Sequence, residues 1–101
     1  MDMQFEGEIW YWRGPAPFYF VTVPQDISDD IHEVSGDVSY GWGAIPVRAR
    51  IGDTTWQTSM FPKEELYALP VKVAVRRAEQ IDEGDVVWVQ MELKPGRPGG
   101  P

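Results

Sequence analysis

Apolar and polar residues alternate along QFEGEIWYW, residues 4 to 12. Phe5, Gly7, Ile9 and Tyr11 fall on one face and Glu6, Glu8, Trp10 and Trp12 on the other, which predicts a β-strand. RGPAP interrupts the pattern with one glycine and two prolines and reads as a loop. FYFVTV, residues 18 to 23, is aromatic and β-branched and predicts a second strand ending at Pro24. From there the period changes. Ile27, Ile31 and Val34 recur at i, i+4 and i+7 and form the apolar stripe of a helix, with Pro24 at its first position and Asp26 and Asp29 complementing its dipole. Gly36 is expected to end this helix in a left-handed cap, and DVSYGWG, residues 37 to 43, to follow as an aromatic loop.

IPVRARI (45 to 51) and TWQTSMF (55 to 61) flank Gly52 and Asp53, which suit a two-residue hairpin with glycine at positive φ. That turn fixes the register: Ile51 faces Thr54, Arg50 faces Thr55, Ala49 faces Trp56, Arg48 faces Gln57 and Val47 faces Thr58. One face of the hairpin is then mainly apolar, and the other carries Arg48, Arg50, Gln57 and Ser59. A short strand, YAL, precedes Pro70. The stretch PVKVAVRRAEQ fits a strand through Val71, Val73 and Val75, and a helix through Val71, Ala74, Val75, Ala78 and Ile81. Its two alanines, its Arg76-Arg77 pair and the Glu83-Gly84-Asp85 turn that follows favour helix. VVWVQMEL, residues 86 to 93, is the final strand, and KPGRPGGP, residues 94 to 101, is expected to be a flexible Gly/Pro tail.

A strand running into proline and then into a helix occurs twice, in FYFVTV-Pro-QDISDDI and in LYAL-Pro-VKVAVRRA. The pattern predicts a mainly β (α+β) single domain over residues 1 to 93, a small barrel of two strand-Pro-helix-strand halves capped by two short helices. A chain of 101 residues, 43% apolar with five tryptophans, can build one core of this kind. It has no cysteine, so neither a disulfide framework nor a thiolate metal site is available, and no apolar run reaches membrane-spanning length. A cytoplasmic location is the corresponding expectation. The net charge is 9 − 16 = −7, which disfavours nucleic acid as a partner. Residues 1 to 40 hold one base, Arg13, and eight acids, so the remainder is neutral with eight of each.

Several ordered segments resemble the domain of unknown function 1905 family: FEGEIW (5 to 10), YFVTVP (19 to 24), YGWGAIPVRARIG (40 to 52), TWQTSMFPK (55 to 63), LPVKVAVRRAE (69 to 79) and GDVVWVQMEL (84 to 93). The resemblance implies a double-split β-barrel of AbrB-like architecture and implies no activity. One departure is Glu64-Glu65-Leu66, where the resemblance implies a glycine turn.

Candidate chemistry is sparse. His32, the only histidine, points away from the apolar stripe and reads as a surface residue. Asp29, Asp30 and Glu33 beside it read as solvated helix carboxylates, and Glu6 and Glu8 as the exposed face of a strand. YGWG lacks the lysine and spacing of a phosphate loop. No cofactor or metal motif is present. Trp10, Trp12, Trp42, Trp56 and Trp88 suit a ligand groove as one alternative, but in so small a domain they are expected to be mainly core and lid residues, Trp42 being the one to be exposed for binding. The bases carry the best candidate site: Arg48, Arg50 and Ser59 on one strand face, Lys63 after Pro62, Lys72 and Arg76 at i, i+4, and Trp42. They suit a small anionic ligand or a protein partner, or else they pair with the acidic first 40 residues. The expected function is a non-catalytic binding or interaction module. A nucleic-acid-binding regulator by AbrB-like analogy and an enzyme built around Ser59 are the alternatives.

Overall fold

In the computed structural model, which describes residues 2–15, 17–38 and 44–93, six strands close into one antiparallel barrel. In chain order they are β1 (Asp2–Trp12), β2 (Phe18–Val23), β3 (Ile45–Ile51), β4 (Thr54–Lys63), β5 (Leu66–Pro70) and β6 (Val86–Leu93). Helix α1 (Gln25–Val38) links β2 to β3, and α2 (Val73–Glu79) links β5 to β6. Around the barrel the order is β1, β2, β5, β4, β3, β6 and back to β1. Exchanging β1 with β4, β2 with β5 and β3 with β6 leaves this order unchanged, so the two halves are related by a twofold exchange, as the repeated strand-Pro-helix pattern predicts. Closure leaves no sheet edge with free backbone groups.

Alternation along the strands fills the interior. Met3, Phe5 and Ile9 of β1, Val21 and Val23 of β2, Val47 and Ala49 of β3, Trp56 and Met60 of β4, Leu69 of β5, and Val89 and Met91 of β6 are all buried. The β3–β4 register is the predicted one at all five pairs from Val47↔Thr58 to Ile51↔Thr54, with Gly52 at φ 58 in the turn. The strands run longer than predicted at several ends, because β1 begins at Asp2 to pair with Glu92, and β4 continues to Lys63 to pair with Leu66.

Helix α1 begins after Pro24, whose carbonyl accepts the Ser28 amide at 2.8 Å, so Pro24 caps the helix rather than opening it. Ser28 is fully buried; its hydroxyl donates to the Val23 carbonyl at 3.1 Å and accepts the Tyr67 amide at 3.3 Å. One small polar side chain thus ties α1 to the end of β2 and to β5. The helix runs through Gly36 to Val38, correcting the expected stop at Gly36: the apolar stripe and its Ser28 anchor outweigh the low helix propensity of one glycine. The expected aromatic loop beyond Val38, including Trp42, and the expected tail at 94–101 lie outside the described residues.

Helix α2 is shorter than the 71–81 stripe suggested. It spans seven residues and stops at Gln80, a left-handed cap at φ 54. Val75 is its buried residue, Val71 and Ile81 are buried on either side of it, and Ala74 and Ala78 are exposed, so those two alanines are not core. The Arg76 guanidinium lies 3.6 Å from the centre of the Tyr19 ring and donates to the Ile81 carbonyl at 3.3 Å, clamping α2 against β2. After α2, Gly84 at φ 93 donates to the Ile9 carbonyl at 2.7 Å, while Asp85 accepts the Ile9 amide at 2.8 Å. The β1–β6 ladder therefore begins one turn before β6 itself.

The β4–β5 connection is a two-residue turn made of Glu64 at φ 52 and Glu65 at φ 70. Two consecutive left-handed residues are what a tight hairpin requires, and they are the reason glycine belongs there. Here two glutamates adopt the shape at a steric cost of roughly 1 kcal/mol each. The paired substitution Glu64→Asn with Glu65→Gly is expected to raise stability by about 1–2 kcal/mol, or roughly 4–8 °C in thermal midpoint per kcal/mol, measured by calorimetry. An unchanged midpoint would show that the turn carries no such strain.

Tyr67 is buried at the α1 end of the barrel, its ring 5.0 Å from that of His32, and burial pushes its phenol above the ordinary value of 10.0. The folded state therefore holds this proton to higher pH than the unfolded state does. Its contribution to stability is complete below pH 10 and is lost as pH rises through the folded value. Denaturant titrations between neutral and strongly alkaline pH should show a steeper loss for the native protein than for Tyr67→Phe.

Candidate functional site

The barrel distributes the predicted basic residues over separate surfaces. Arg48 and Arg50 point outward from β3, and Ser59 lies on the same outer side of β4 opposite Pro46. Arg48 pairs with Glu92 on the adjoining strand at 3.0 Å, and Arg50 donates to the Gly52 carbonyl at 2.7 Å with Asp53 at 3.9 Å. Their acidic partners thus come from the second part of the chain, not from the first 40 residues. Such exposed pairs contribute little to stability. Lys63 lies six residues beyond Gln57 on β4, about 20 Å along the strand from the pair that contains Arg48. Lys72 is exposed just before α2, and Arg76 is occupied with Tyr19 and Ile81. These bases do not converge on one place.

What does converge is a set of aromatic rings on the outer face of β1, β2, β5 and β4. Trp10 pairs with Phe20 and Trp12 with Phe18 across the β1–β2 ladder, Phe20 pairs with Pro70 across β2–β5, and Ala68 pairs with Phe61 across β5–β4. Trp10 and Phe20 stack with ring centres 5.0 Å apart at 27°, and Phe18 meets Phe20 edge-on at 5.9 Å. The central strand, β5, offers only the small, buried Ala68 and Pro70. Large rings on either side of a low floor leave a groove of about 610 Å³. Trp12 and Phe61 at its rim are 42% and 46% exposed.

The polar equipment of this groove is limited. Trp10 donates its indole N–H to the Thr22 hydroxyl at 2.9 Å, so that donor is already used. Lys63 extends from β4 until its ammonium lies 5.8 Å from the centre of the Trp10 ring. Among the described residues it makes no ion pair, and it is the one charged side chain lining the groove. Concave, mostly apolar and carrying one polar anchor, the groove has the character of a small-molecule site, for which roughly 300–1,000 Å³ is usual.

The remaining polar clusters do not build a reaction centre. The exposed His32 has its Nδ1 3.5 Å from the Tyr67 hydroxyl, a long contact, and the nearby Ser28 hydroxyl is committed to backbone bonds. Among the described residues no three of His, Asp and Glu gather into a metal-holding group, and no helix is long and apolar enough to cross a membrane.

The groove was legible in the sequence only as the lesser, tryptophan-lined alternative; its place on β1, β2, β5 and β4 and its members Phe18, Phe20 and Phe61 were missed. Of the tryptophans expected in the core, Trp56 is buried and donates to the Pro70 carbonyl at 3.1 Å, whereas Trp10 is half-buried, Trp12 is a rim residue and Trp88 is 52% exposed. The available signal was parity: Trp10 and Trp12 share a strand face with Glu6 and Glu8, which marks that face as outward. No curated protein matches the chain. A family model does: that of the Domain of unknown function (DUF1905) matches residues 5–91, nearly the whole described barrel, and the chain belongs to this family.

Proposed function

We propose that this protein is a non-catalytic binding module whose ligand is a small molecule with an apolar body held in the aromatic groove. The observation that carries this reading is the groove itself: five rings from three strands surround a floor of Ala68 and Pro70, two of them well exposed at the rim. Exposed aromatic surface of this kind lowers solubility unless it is used, and such patches mark interaction sites. Apart from the Lys63 amine, the described lining residues include no hydroxyl, histidine or carboxylate, so no acid–base pair is assembled there, which favours binding over turnover. A chain without cysteine is suited to the cytoplasm, where we place it. This assignment moves the site from Arg48, Arg50, Ser59, Lys72 and Arg76 to the aromatic groove and keeps Lys63 alone of the described candidates, Trp42 lying outside them.

A nucleic-acid role has one observation in its favour, because aromatic sheet faces can stack unpaired bases. Against it stand the net charge of −7 and the carboxylates of Asp2, Glu6, Glu8 and Glu92 on the outer face of β1 and β6.

A neutral solvatochromic dye such as Nile red tests the groove. Its emission should shift to the blue and intensify with the native protein. The affinity should drop about ten-fold or more for Phe61→Ala and Trp12→Ala, with a smaller cost in thermal midpoint than a core truncation because both residues are nearly half exposed. Equal dye binding by all three proteins would rule the groove out.

A further inference from the structure

Lys63 gives the groove a chemical preference. Its ammonium hangs over an aromatic slot, held there by a ring face at 5.8 Å, near the outer limit of a useful cation–π contact. No carboxylate lines the slot; Glu64 lines a smaller pocket beside it with Lys63, but among the described residues Lys63 makes no ion pair. An anion carried in by a ligand would meet a cation that has no ion-pair partner among the described residues, beside low-dielectric ring surface. A charge-assisted contact made there is stronger than the contact it replaces. The shape of the slot sets the rest of the ligand. Phe20, stacked on Trp10, stands on one side of β5, and Phe61 stands on the other. A flat ring laid over Ala68 and Pro70 continues the row of stacked rings, whereas a branched aliphatic body does not.

We propose that the groove selects a planar aromatic ring bearing an anionic group, in its simplest form an aromatic carboxylate, with the ring between Phe20 and Phe61 and the carboxylate on Lys63. This rests on the groove being the binding site, as argued above.

Three probes of one shape separate the terms: naphthoate, its neutral counterpart naphthamide, and naphthylmethylammonium. Titrated into ¹⁵N-labelled protein, all three should move the amides of β2, β4 and β5 around the groove. Naphthoate should bind about ten-fold tighter than naphthamide at low salt, and the ammonium compound most weakly. The preference should shrink as ionic strength rises, because the Lys63 contact is solvent-accessible. In Lys63→Met the acid and the amide should bind within about two-fold of each other, and in Lys63→Glu the order should reverse toward the cation. Circular dichroism on both variants confirms that the exposed substitution leaves the fold intact. Equal affinity for acid and amide in the native protein, or a preference that survives Lys63→Met, overturns the anion selectivity while leaving the groove as a binding site. Naphthoate shifts confined to Arg48, Arg50 or Arg76 overturn it as well. If none of the three probes perturbs the groove at millimolar concentration, the groove reading itself fails.

Discussion

Closure of the barrel depends on three backbone ladders that no hairpin turn creates: β1 against β6, β2 against β5, and β3 against β6. Each joins one half of the chain to the other. β1 with β2 and β4 with β5 are sequence neighbours, and β3 with β4 is a two-residue hairpin, so those pairings cost little loop entropy. The long-range ladders need their strands delivered to the right place, and the two helices do this. Pro24 and Pro70 mark the points where strand gives way to helix, Ser28 locks α1 to both sides of the β2–β5 joint, and Arg76 locks α2 onto Tyr19 of β2.

The same joint positions the groove. Because β5 sits between β2 and β4, its small residues become a floor with rings on either side. Pro70 serves twice, closing the strand next to Phe20 and accepting the buried Trp56 indole, so the groove floor is fastened to the core beneath it. A site on strands fastened in this way is more rigid than one on loops, and its rings lose little freedom when a ligand arrives.

Local features were legible in the sequence to the extent that they depend on local physics. The Gly52 hairpin register follows from turn chemistry and alternation, and all five predicted pairs are present. The repeated strand-Pro-helix units gave the two-half barrel, and family-like segments spanned it. Helix ends were less accurate, since Gly36 is overridden by tertiary contacts and the Val71 to Ile81 stripe is broken by the left-handed Gln80. The site was the least legible part. Parity tells that Trp10, Trp12 and Lys63 point outward, but which strands lie side by side is a non-local property. The grouping of bases assumed a common surface that the strand order does not provide, and the tryptophans were assigned by average burial rather than by face.

Asp2 and Glu92 are direct partners across the β1–β6 ladder, so the first and last strands of this domain begin and finish side by side. A fold with that property can be spliced into a surface loop of another protein, or cut open at the exposed Gly52-Asp53 turn and rejoined at its old ends, with its hydrogen-bond ladders preserved. It is a portable unit. The aromatic groove, carried by the start of β2, the later half of β5 and the ends of β1 and β4 remote from that junction, would travel with it intact.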